Sequence, residues 1–88
     1  MTYIFPCAKF ADENTITEQI TAIGKEFAEI CHASWGCEGI DRITEEILDT
    51  LHSCETALRI IEAEHGPGYV HDRMQAVIAK NTARGYYA

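Results

Sequence analysis

Three stretches of apolar residues recurring at helical spacing, parted by two glycine-bearing breaks, restrict this chain to an all-helical fold. The first predicted helix, residues 15–34, carries Ile16, Ile20, Ile23, Phe27 and Ile30 as one continuous stripe. Asp12, Glu13 and Asn14 read as a polar lead-in to a start near Thr15 or Thr17. After the break at Trp35-Gly36-Cys37-Glu38-Gly39, a second helix is expected over 41–64, with Asp41 as a plausible N-cap. Its stripe is Ile43, Ile47, Thr50, Cys54, Ala57, Leu58 and Ile61. His65-Gly66-Pro67-Gly68 ends it, and a third helix over 69–82 places Val70, Met74, Val77 and Ile78 on one side. Residues 1–14, interrupted by Pro6, show no clear period and stand as a lead-in segment of open conformation; residues 15–88 form one helical domain.

A domain of 88 residues buries only about 60 to 65% of its unfolded surface. Self-association is therefore expected, as a dimer or tetramer. The short break favours an antiparallel hairpin, and two hairpins would pair their apolar seams into an oligomeric four-helix-bundle core. Ile23, Phe27, Ile30, Ile47, Leu51, Cys54 and Leu58 should be buried in it. Fourteen acidic against seven basic side chains give a net charge of -7, the wrong sign for holding a long nucleic acid through its phosphates. No apolar run is long enough to span a membrane, and residues 1–10 lack the basic start and apolar centre of a signal peptide. A cytoplasmic location is expected, with Cys7, Cys31, Cys37 and Cys54 as free thiols.

The carboxylates follow a pattern of their own. Glu26 and Glu29 flank the first stripe beside Ile23, and Glu46 and Asp49 hold the same offsets from Ile43. In an antiparallel hairpin centred between Cys37 and Glu38, Glu26 and Asp49 lie at one height, and Glu29 and Glu46 at another. Four acids can thus meet across a gap of about 8 to 10 Å between helix axes. A dry cluster of this kind repels itself, and hard oxygen ligands select magnesium, manganese or calcium over zinc. The plain alternative is a set of ordinary solvated helix acids, since Glu is a good helix former.

Lys25-Glu26-Phe27-Ala28-Glu29 followed by Glu46-Ile47-Leu48-Asp49 resembles the signature of the MazG-like all-helical nucleotide pyrophosphohydrolases, Glu-Glu-x-x-Glu and then Glu-x-x-Asp after a variable gap. The likeness runs over residues 17–87, and the ending Lys80-Asn81-Thr82-Ala83-Arg84-Gly85-Tyr86-Tyr87 is similar to the tail of short phage- and prophage-type members. Lys25 departs from the pattern, standing where the family often has its first Glu. The resemblance implies magnesium on Glu26, Glu29, Glu46 and Asp49, with manganese as a possible substitute. It further implies an obligate oligomer and hydrolysis of a nucleoside triphosphate to monophosphate and pyrophosphate. The same fold serves several substrates, so it does not fix the base or sugar. The alternative reading is a non-catalytic helical oligomer that binds a nucleotide or partner and retains the acidic frame, with Lys25 as its best support.

Lys80 and Arg84, four residues apart, suit either the dipole of a helix end or a triphosphate, and Asn81 suits a base edge. Tyr86 and Tyr87 are expected to dock the tail, and Lys25 to form a surface ion pair. Cys31, Cys37, His32 and His52 match no compact zinc spacing, so core cysteines and exposed histidines are expected.

Overall fold

Four helices follow one another without any strand: α1 (Phe10–Glu13), α2 (Ile16–Trp35), α3 (Ile40–His65) and α4 (Tyr69–Ala83). The computed structural model describes residues 1–88. At the start of α2, Thr15 forms a reciprocal capping box. The Glu18 amide donates to Thr15 Oγ1 at 3.1 Å, and the Thr15 amide donates to Glu18 Oε1 at 2.9 Å. The lead-in acids Asp12 and Glu13 belong to the short α1, which the sequence pattern did not reveal because one turn is too brief to show a period.

The expected Asp41 cap is corrected by the structure. Gly39, at φ 95°, is the N-cap of α3, and the helix starts at Ile40. The loop turns back through Cys37 at φ 54° and Gly39, so the chain has entered the helix before Asp41 is reached. Asp41 sits in the first turn, where its charge still complements the helix dipole.

Helices α2 and α3 form the main pair, and the pairing is antiparallel: Gln19 near the start of α2 donates to Ser53 on the far half of α3. Helix α3 also packs against α1 and α4. The buried apolar residues are small or few: Ala33, Ala57, Ile60 and Val70. The expected core is not buried within one chain. Ile23, Ile30, Cys54 and Leu58 are half-buried, whereas Phe27 is 60%, Ile47 49% and Leu51 38% exposed. A hairpin covers only one side of each stripe, and α4 packs chiefly on α3.

Two global measures agree with this open architecture. The chain exposes 6217 Å², against roughly 5200 Å² for a folded monomer of 9.9 kDa. Its radius of gyration is 14.9 Å, against about 12 Å for a compact domain of this length. No helix is long and apolar enough to cross a membrane.

Candidate metal centre

Glu26 faces α3 from the middle of α2, and Glu46 and Asp49 lie one turn apart on α3, so the hairpin brings acids from both helices together. Glu26, Glu46 and Asp49 each offer a carboxylate oxygen, and the three atoms lie within 4.8 Å of one another. Glu46 is buried, Glu26 is half-buried and Asp49 is exposed. Glu29, the fourth expected ligand, is exposed and lies outside this trio, although its charge still acts on Glu26.

Oxygens on opposite sides of one magnesium ion stand about 4.2 Å apart, and those around calcium up to about 5 Å. The observed spacing therefore suits one divalent cation after a small closure, and the all-carboxylate donor set excludes a soft-metal preference. Without an ion, the cluster is electrostatically loaded. Burial raises the Glu26 carboxyl above its ordinary range, and the charges of Asp49, Glu46 and Glu29 push it further in the same direction. Arg42 offers partial relief, with Nη2 2.7 Å from Glu46 Oε1. Looser contacts of the same guanidinium reach Glu38 and Glu45, both at 3.8 Å. The motif reading missed Arg42, although its spacing of four from Glu46 on one helix was available as a signal.

A cleft of about 440 Å³ opens beside Glu26 and Asp49. Phe10, Asn14, Gln19, His52 and Ser53 line its other walls. Gln19 is buried and fully engaged: it accepts from Asn14 Nδ2 at 2.9 Å and donates to Ser53 Oγ at 2.8 Å and to the Ser53 carbonyl at 3.1 Å. His52, expected to be exposed, is half-buried beneath Phe5, with ring centroids 4.6 Å apart. The apolar lead-in residue supplies a neighbour that the helical wheel of α3 alone could not show.

Lys80, Asn81 and Arg84 do not line this cleft in their own chain. Arg84 instead stacks on Tyr86 at 4.8 Å, and the Asn81 carbonyl accepts from the Tyr86 amide at 2.9 Å. The expected docking of the tail is corrected: Tyr86 and Tyr87 are exposed, and the Tyr86 ring meets Arg84 of its own segment. Lys25 is likewise exposed and makes no ion pair, since its nearest motif acid, Glu26, turns toward the cluster. All four cysteines are free thiols.

Because the fold favours a protonated Glu26, its stabilising contribution is present below the ordinary carboxylate value and is lost as pH rises through the raised one. Metal-free Glu26→Gln should accordingly melt above the parent protein at pH 7, with the gap closing as pH falls below the ordinary carboxylate value. Thermal unfolding followed by circular dichroism in a chelator measures this; a lower melting point at pH 7 would contradict the charge account. No family model, curated protein or solved structure matches this chain, so its own residues carry the functional reading.

Proposed function

We infer that this chain is a magnesium-dependent nucleoside triphosphate pyrophosphohydrolase of the MazG-like type, acting in the cytoplasm as a homo-oligomer. The observation that carries this reading is the convergence of Glu26, Glu46 and Asp49 beside an open cleft. Three hard oxygen donors with room alongside suit a cation that keeps places for substrate phosphates. Bound there, magnesium would polarise the phosphate oxygens and activate water for attack. Glu26, Glu46 and Asp49 would hold it, while Glu29 adds negative charge at the rim. Arg42 pairs with one oxygen of the buried Glu46 carboxylate. Bond cleavage between the alpha and beta phosphates is taken from the motif resemblance.

The excess exposed surface, roughly 1000 Å² per chain, supports the oligomer. A stable interface needs about 800 Å² from each partner, and the uncovered Ile20, Phe27, Ile47 and Leu51 would supply its apolar centre. In this reading Lys80, Asn81 and Arg84, which stand off the cleft of their own chain, serve the triphosphate from a neighbouring copy.

Incubation with a panel of nucleoside triphosphates and magnesium should yield nucleoside monophosphate and pyrophosphate, and Glu46→Gln should lower turnover by about 100-fold or more. Release of orthophosphate and diphosphate would overturn the cleavage site. Nucleotide binding without turnover by a well-folded protein would favour the non-catalytic binder. Sedimentation at micromolar concentration should show a dimer or tetramer; a stable monomer would remove the four-helix core.

A further inference from the structure

Glu55 is an ionisable side chain that the metal centre does not use, and it is buried in the middle of α3. A carboxylate withdrawn from water needs strong partners. It finds them in the irregular segment before α1. The Ile4 amide donates to Glu55 Oε1 and Oε2 at 3.1 and 2.9 Å, and the Phe5 amide donates to Oε1 at 2.9 Å. Burial pushes this carboxyl up, but the two amides, aided by the charges of Arg59 and His52, outweigh it and hold it below its ordinary value.

Further bonds flank this clasp. Arg59 Nη2 donates to the Phe5 carbonyl at 2.9 Å, and its guanidinium lies 4.1 Å from the Tyr3 ring centroid. His52 stacks on Phe5 and places Nε2 3.2 Å from the Pro6 carbonyl. A carbonyl only accepts, so this contact requires the proton on Nε2. At its other end, the segment is tied by Asn14 to Gln19 and so to Ser53. Between the two fastenings, Ala8 and Phe10 form a wall of the cleft beside Glu26 and Asp49.

We propose that residues 1–14 are a strap forming the nucleoside-facing wall of this cleft, and that Glu55 is the positioning residue that fastens it. The proposal rests on the nucleotide reading above. Phe10 lines the cleft about half exposed, with the Lys9 ammonium 5.5 Å from its ring centroid, and supplies aromatic surface for a base, whereas the carboxylates beyond it suit cation and phosphate. Glu55 thus governs affinity for the nucleoside part of a ligand and leaves the cation site alone.

Glu55→Ala, Glu55→Gln and Phe10→Ala in the full chain separate these roles. In Glu55→Ala, amide exchange at Ile4 and Phe5 should accelerate at least about tenfold, and trypsin should cut after Lys9 while α2 and α3 stay protected. Affinity for magnesium complexes of the common nucleoside triphosphates should fall about tenfold, while affinity for inorganic triphosphate with magnesium, and for manganese alone, should stay within about twofold. Glu55→Gln, which keeps one acceptor oxygen, should fall between, and it stands in if the alanine variant fails to fold. Phe10→Ala should reproduce the nucleotide loss with the strap still fastened. An unreleased strap in Glu55→Ala, or a released one with nucleotide affinity unchanged, overturns the proposal, as does an equal loss of manganese affinity. A parent protein that binds no triphosphate at all instead overturns the nucleotide reading, and the strap's role toward a nucleoside with it; the exchange and proteolysis results then decide the fastening alone.

Discussion

Like-charge repulsion among Glu26, Glu46 and Asp49 is the constraint to which the rest of this molecule answers. Asp49 is exposed and Glu26 only half-buried, so water screens part of this repulsion, but its direction opposes folding when no ion is bound. The fold offsets part of it locally, with Arg42 against Glu46 and with Glu26 biased toward its protonated form. Packing cannot easily carry the remainder, because the buried apolar core of one chain amounts to two alanines, one isoleucine and one valine. The acidic cluster therefore sits on a fold with little apolar packing to spare.

Helix α3 carries both of the buried carboxylates. One stretch of it, from Arg42 to Asp49, addresses α2 and the cluster; the next, from His52 to Glu62, addresses the strap. Glu46 and Glu55 are both buried carboxylates, yet they are satisfied differently: Glu46 by a neighbouring guanidinium and Glu55 by two backbone amides. Glu46 also lies among the carboxylates of Glu26 and Asp49, whereas Glu55 has no second acid in its clasp and fastens the chain through Ile4 and Phe5. The apolar stripes left open on the hairpin are then available to a second copy.

Features repeated along a helix were legible in the sequence. The three long helices, the Thr15 start and the facing of Glu26 with Asp49 all follow from period and hairpin symmetry, because these depend on neighbours three, four or a mirrored distance away. Two kinds of feature were hidden. The Gly39 start displaced the Asp41 cap because backbone dihedrals in the loop, and no side-chain preference, decided where the helix began. The strap was illegible because its bonds join amides of residues without a period to side chains some fifty positions away. Of the four acids expected to meet, three are together, and Glu29 lies at the exposed edge.

Manganese titration read by electron paramagnetic resonance tests most directly whether these carboxylates form a cation site. Saturable binding of about one or two ions per chain, displaced by magnesium and weakened at least about tenfold by Glu46→Gln without loss of helix, is the expected result. Manganese that stays free up to millimolar concentration, or binds equally well to Glu46→Gln, would contradict it.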